Sequence, residues 1–375
     1  MRGATVGLGA AAVAFASAVV PLGAAAAAET GDQVSLMTFN DFHGALGGAG
    51  GLVCAVETVR ADNPASFLFS AGDNVGGTAF ESAVQNDEPT IDVLNAMGVD
   101  ATAIGNHEYD QGIGDLLDRI EPRTDFPDLA ANVYDTATGE RVHEAYTIVE
   151  REGVRVAVVG AVTTKTVGKV SPVAIQGLDF RDPVDSVNAA IDELNASGDE
   201  YDVLVASYHE GASANADPGV APNNTDPIFD KIVGETSAEV DAIFNGDSHR
   251  AYNYNAPVPG QDGAVRPVVQ TGSSAANLGV VTLEYGEDGD WSVLGDPELR
   301  PTALAEGEEC AIDTEVPERH PARRRRDRRG RCGRCRARRL RRRGRHHLVG
   351  RLQGLLRRRR PHRERPGRQP GHHQG

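Results

Sequence analysis

Apolar residues fall into short, nearly continuous runs along this chain, at 34–39, 66–70, 102–104, 154–162, 203–207, 240–245, 267–271 and 278–285. Runs of this length, bounded by Gly, Asn, Asp and Pro, predict strands buried on both faces. Between several of them the spacing lengthens to that of a helix. Leu52, Val53, Val56 and Val59 make one stripe before Asn63-Pro64. Ile91, Leu94 and Met97 make a second, opened by Pro89 and closed by Gly98. Val184, Val187, Ile191 and Leu194 make a third, which stops near Ser197-Gly198. These stripes are core. Strand and helix alternate through the first two-thirds, and strands dominate afterwards, which predicts α/β layering with the sheets inside. Residues 217–227, dense in Pro, Asn and Gly, predict a loop.

Both ends depart from this pattern. Arg2, an apolar stretch over 6–20 and the small residues of 24–28 predict a cleaved secretory signal spanning 1–28. No later segment is apolar for long enough to cross a bilayer, so the protein is expected to be secreted or extracytoplasmic, without a membrane partner once the signal is removed. Residues 29–317 are enough for one large domain. The net charge of −16 conceals two parts: residues 319–375 hold 24 Arg and no Lys, whereas 29–318 hold 13 basic against 52 acidic residues, a net of −39. An acidic body argues against non-specific nucleic-acid binding, and an anionic substrate would need local positive charge there, most simply metal ions.

The tail over 318–375 invites a nucleic-acid reading because arginine runs neutralise phosphates. It has no aromatic residue, no periodicity and few apolar residues, so it is expected to be disordered. Its abrupt turn to Arg, Gly, His and Pro reads better as out-of-frame translation of a GC-rich message than as a binding arm. Of the four cysteines, Cys54 and Cys310 are free to pair in an oxidising compartment. Cys332-x-x-Cys335 has the spacing of a zinc or redox motif, but without a second pair it is read as accidental.

The chemistry sits where the strands stop. The first run ends in Asp41-x-His43; the next leads into Gly72-Asp73; the third into Gly105-Asn106-His107-Glu108-Tyr109-Asp110; the fifth towards His209; the sixth into Gly246-Asp247-Ser248-His249. Singly, each has a bland account: a turn residue, a helix cap, a satisfied core histidine. Together, seven nitrogen and oxygen ligands (Asp41, His43, Asp73, Asn106, His209, Asp247 and His249) at five strand ends point to a centre for two divalent ions, and exclude a thiolate site.

This order of motifs, Asp-x-His, Gly-Asp, Gly-Asn-His-Glu, His and Gly-x-x-His, resembles the calcineurin-like metallophosphoesterases, and NDFHG followed by GNHEYD resembles their exported 5′-nucleotidase branch. The resemblance covers nearly all of 34–285. It implies an α/β/β/α sandwich with mixed sheets, in which Asp41, His43 and His249 bind a first metal, Asn106 and His209 a second, and Asp73 bridges the two. It further implies that His107 faces the substrate with Asp110 orienting its ring, and that Glu108 supports the loop. The expected reaction is hydrolysis of nucleotide phosphate esters, as a 5′-nucleotidase or 2′,3′-cyclic phosphodiesterase, by a metal-bound water or hydroxide. The ions expected are Mn²⁺, Zn²⁺ or Mg²⁺.

Two features depart from the family pattern. Where a histidine ligand of the second metal is usual, this chain has Asp247, which can coordinate through oxygen and favours harder ions. Where a nucleoside-binding C-terminal domain usually begins, the arginine-rich tail begins instead, so poor nucleotide selectivity is expected. The alternatives are a hydrolase of another phosphate or sulfur ester, and a non-catalytic metal-binding secreted protein. His107 and Asp110, which bind no metal on this reading, favour an enzyme.

Overall fold

The computed structural model describes residues 28–304. The expected signal over 1–28 (Ala28 excepted), residues 305–317 of the expected domain, the tail over 318–375 and Cys310, Cys332 and Cys335 lie outside the described residues. Cys54 is disulfide-bonded.

Fifteen strands form two large mixed sheets and one small ribbon among the described residues. The first sheet holds β1 (Gln33–Phe39), β2 (Ser66–Ser70), β3 (Ala101–Ala103), β4 (Asp128–Leu129), β13 (Asn277–Tyr285), β14 (Trp291–Val293) and β15 (Glu298–Pro301). Its order is β14-β13-β1-β2-β3-β4, with β15 also paired to β13. The second holds β6 (Tyr146–Arg151), β7 (Val154–Val162), β9 (Val203–His209), β10 (Ala242–Asn245), β11 (Ala251–Pro257) and β12 (Val265–Thr271), in the order β11-β12-β10-β9-β7-β6. β5 (Val133–Asp135) and β8 (Leu178–Phe180) pair with each other.

Alternation along β7 and β9 explains the layering. Val156, Val158, Val203 and Val205 face Leu36, Phe67 and Phe69 of the first sheet, and Phe69 meets Phe244 across the interface at 6.3 Å between ring centres. Ala157, Val159, Leu204 and Ala206 point the other way, onto Val187, Ile191 and Leu194 of the helix Pro183–Ser197 and Phe229 and Ile232 of the helix Pro227–Glu235. Each buried valine, leucine, isoleucine or phenylalanine among them contributes roughly 1.5–3 kcal/mol by leaving water. Against the first sheet, the helix Ala49–Asp62 buries Leu52, Val56 and Val59 next to β2 and β13, and the helix Glu88–Met97 packs beside it. The result is the α/β/β/α order.

β1, β2, β3 and β4 run parallel, with Met37 opposite Leu68 and Phe69 opposite Ala101. β7, β9, β10 and β12 are likewise parallel. The strand ends of interest therefore lie along one edge of each sheet, and the two edges meet. Gly98 and Gly198 close their helices in the left-handed conformation (φ 67° and 77°).

Some boundaries differ from those expected. The third strand is Ala101–Ala103, and β10 starts at Ala242, not 240. β9 continues to His209, which is thus the last residue of a fully buried strand. The loop expected over 217–227 gives way at Pro227 to a helix whose first turn is capped by the Asp226 carboxylate accepting from Ile228 N at 2.9 Å.

Candidate metal centre

The strand-end loops hold their side chains by an unusual backbone. Ten non-glycine residues have positive φ among the described residues, and five of them are Asp41 (49°), His43 (46°), Asp73 (53°), Asp247 (70°) and His249 (57°). Such conformations cost on the order of 1–3 kcal/mol each and persist where the surroundings over-determine them. Here they do so through neighbouring loops: Asp41 N donates to Gly72 O (2.9 Å) and His43 N to Asp73 O (3.0 Å). Glycines let the loops touch. A Cβ on Gly105 would lie 2.1 Å from Asp73 Oδ1, and one on Gly246 2.5 Å from Ala71 O.

All seven expected ligand side chains converge. Around Asp41, His249 Nε2 stands 3.2 Å and His43 Nε2 3.8 Å from Oδ1, and the two imidazole nitrogens are 3.3 Å apart. Around Asp247, His209 Nε2 stands 3.6 Å from Oδ1 and an Asn106 amide terminus 2.8 Å. Asp73 lies between the sets, its Oδ2 3.7 Å from His43 Nε2 and 3.1 Å from His209 Nε2. The outward nitrogens are held by backbone carbonyls: His43 Nδ1 by Gly76 O (3.0 Å) and His209 Nδ1 by Ala71 O (2.7 Å). This aims each Nε2 at the cluster.

These residues fit divalent ions. Asp41 Oδ1 is buried yet accepts no hydrogen bond, while Oδ2 accepts from Asn40 Nδ2 and from Asp247 N at 3.0 Å. The Asn106 amide has one terminus 2.8 Å from Asp247 Oδ1 and the other 3.2 Å from His107 N. With NH₂ toward Asp247, both contacts are hydrogen bonds. With the oxygen toward Asp247, two acceptors face each other, which only a shared cation makes favourable. Burial works against charge on His209, but the attraction of Asp73 outweighs it and holds its pKa well above the ordinary value. Burial would also raise Asp73, but His209, His43 and His107 together hold it well below the usual carboxylate range. The field that keeps a proton on His209 Nε2 would hold a metal in its place. Imidazole, carboxylate and amide oxygen suit Mn²⁺, Zn²⁺ or Mg²⁺.

His107 stands beside this cluster. Its backbone N–H donates to Asp73 Oδ1 (2.8 Å), and its Nδ1 lies 2.8 Å from Asp110 Oδ2, a bond that raises the imidazole pKa. Its ring meets that of His43 edge-on at 5.2 Å, and both line a cavity of ≈ 570 Å³ with His249, Gly77, Ala79, Ser273 and Ser274. Glu108 is turned inward. Its carboxylate accepts from the backbone N–H groups of Asn74 (2.7 Å), Gly105 (2.7 Å), Asp73 (3.1 Å) and Val75 (3.3 Å), and burial pushes its pKa up to about 7.

Two participants were not found by motif. Asn40 ties the first loop to β12, its Oδ1 accepting from Thr271 N at 2.8 Å and Thr271 Oγ1 at 2.7 Å. Lys169, on the short helix Thr166–Lys169 after β7, forms an ion pair through Nζ with Asp247 Oδ1. A signal for it existed: the acidic stretch 29–318 holds three lysines, and two, Lys165 and Lys169, lie in the segment that follows β7.

Two facing mixed sheets between helices, with Asp, Asn and His gathered at their strand ends, define a metallophosphoesterase fold. Residues 35–251 match the calcineurin-like phosphoesterase family, and the chain belongs to it, a family of metal-dependent phosphoester hydrolases. It is 31% identical over 236 residues to a 5′-nucleotidase of Vibrio cholerae, covering 60% of this chain and 42% of that protein. It is 30% identical over 236 residues to endonuclease YhcR of Bacillus subtilis, covering 60% and 18%. The calcineurin-like phosphoesterase YfkN of B. subtilis superposes with a TM-score of 0.56 at 22% identity, covering 72% of this chain and 91% of that one. The chain spans less than half the length of the curated relatives named here.

Proposed function

We propose that this protein is an exported, dinuclear-metal phosphoesterase that hydrolyses nucleotide phosphate esters. The observation that carries this reading is the position of Asp73 Oδ2, within 3.1 Å of His209 Nε2 and 3.7 Å of His43 Nε2, as a carboxylate shared by two ligand sets would be. Asp41, His43 and His249 form one set, Asn106, His209 and Asp247 the other. When bound, two divalent ions supply the positive charge that phosphoryl oxygens need and acidify the attacking water.

The chain's own residues do the rest. His107 keeps its Nδ1 proton on Asp110 and presents Nε2–H to the cavity, where it stabilises the phosphoryl oxygens or protonates the leaving alkoxide. Ser273, Ser274 and Gly77 line the space for the remainder of the substrate. The relatives include a 5′-nucleotidase and an endonuclease. The net charge of −39 over 29–318 favours a small nucleotide, since a polymer would meet repulsion beyond the centre.

The test is phosphate release by the full chain from AMP, 2′,3′-cyclic AMP and p-nitrophenyl phosphate, with plasmid DNA in parallel, each with Mn²⁺, Mg²⁺ or Zn²⁺. Metal-dependent hydrolysis of the nucleotides, lost in Asp73→Asn together with metal binding, is expected. No hydrolysis of any ester under any metal would overturn the reading; cleavage of DNA alone would replace its substrate.

A further inference from the structure

The two ligand sets differ in one respect that their donor atoms do not suggest. Among the described residues, no lysine or arginine pairs with Asp41 or Asp73, whose charged neighbours are the imidazoles of the cluster. Asp247 is different. The Oδ1 that faces His209 Nε2 at 3.6 Å and the Asn106 amide at 2.8 Å is also the oxygen engaged by Lys169 Nζ. Asp247 is nearly buried, at 5% side-chain exposure, whereas Lys169 is 36% exposed. The ammonium therefore reaches in from the surface to an oxygen already committed to the cluster. One oxygen cannot be saturated by an ammonium and also give its full charge to a divalent ion.

We propose that Lys169 is a built-in competitor for the second cation. Its ammonium holds Asp247 until that ion binds, and the ion binds by displacing it. The inference rests on the reading that Asp247 belongs to the second ligand set. It follows that the two sites differ in affinity. The Asp41, His43 and His249 site fills first, and filling of the His209, Asn106 and Asp247 site is governed by the free metal concentration. Geometry permits the exchange. Lys169 ends a four-residue helix at the surface, and its flexible four-carbon stem can swing to solvent without moving the strand that carries His209.

The experiment is calorimetric titration of Mn²⁺ into chelator-stripped full-chain protein, comparing wild type with Lys169→Met and Lys169→Arg. Wild type should show one tight and one weaker step. Lys169→Met, which keeps the stem and removes the charge, should tighten the second step by roughly tenfold or more, the range expected on removing a charged hydrogen-bond competitor, and leave the first unchanged. Lys169→Arg should keep the second step weak, because it retains a cation. Two steps of identical affinity in wild type and Lys169→Met would overturn the competition and leave the proposed function standing. Binding of fewer than two ions by all three proteins would overturn the dinuclear reading itself, and this inference with it.

Discussion

The Glu108 carboxylate accepts the backbone N–H of Asp73 at 3.1 Å, so a residue that faces away from the cluster fixes the loop on which a central acid stands. The same carboxylate accepts from Asn74, Val75 and Gly105, joining the loops after β2 and β3 into one unit. Glu108→Ala would leave four buried N–H groups without this partner. Leaving buried donors unsatisfied costs about 1–3 kcal/mol each, reduced where water enters. We expect a loss of roughly 2–4 kcal/mol in unfolding free energy, read by denaturant titration, with weakened Mn²⁺ uptake. A variant as stable as wild type would contradict this role.

His107 is the residue at which the proposed chemistry can be told apart from the proposed metal binding. Its ring is held by Asp110 and lines the cavity beside the cluster. His107→Ala should lower kcat by about 10²–10⁴, the usual contribution of a placed acid or electrophile, with metal content near that of wild type. Asp110→Asn should show a smaller fall of the same kind. Mass-spectrometric metal analysis beside steady-state kinetics checks both; a His107→Ala protein stripped of metal would refute the role.

Much of the cluster was legible because the apolar runs end where the chemistry begins: a buried parallel strand announces its own last residue, and the next polar side chain falls at the sheet edge. The weakly patterned strands were not legible. β4 is two residues long, and β6 is half-exposed along most of its length, so neither yields an apolar run. Lys169 was hidden for another reason: its contact with Asp247 spans 78 residues and depends on β7 and β10 ending along the same edge of the second sheet. The left-handed backbone at Asp41, His43, Asp73, Asp247 and His249 was also invisible, since packing of one loop on another sets it.

Gly105 tests that loop packing without replacing a proposed ligand. Its φ is not in the left-handed region, so an alanine there fails on contact alone: the new Cβ would lie 2.1 Å from Asp73 Oδ1 and 2.4 Å from Asp73 N. Displacing a central carboxylate by about 1 Å is expected to lower turnover by roughly 10²-fold or more. Gly114→Ala, where a Cβ meets nothing within 4 Å, is the control and should be neutral or slightly stabilising. Equal kcat and Mn²⁺ content in Gly105→Ala and wild type would show that the loops yield more readily than their contacts indicate.

Asp241 makes a prediction about pH that is independent of the metal cluster. It precedes β10, where its Oδ2 accepts from Leu204 N at 2.7 Å, and burial, aided by the charge of Asp290, pushes its pKa up to about 7. In the unfolded chain an aspartate titrates near 3.9. The folded state therefore holds this proton across the window from about pH 4 to 7 while the unfolded state has released it. The stabilisation from that proton is complete below the window and is lost as pH rises through it. Above pH 7 the charged carboxylate is a net cost. Asp241→Asn keeps an oxygen for the Leu204 N–H and removes the charge. It should raise stability at pH 8 by about 1–3 kcal/mol, less than the ~1.4 kcal/mol for each tenfold change in proton affinity would give, because solvent relieves part of the burial. The advantage should shrink steadily from pH 8 to pH 5 in thermal melts. A difference between variant and wild type that does not change over that range would rule out the titration of Asp241 as its cause.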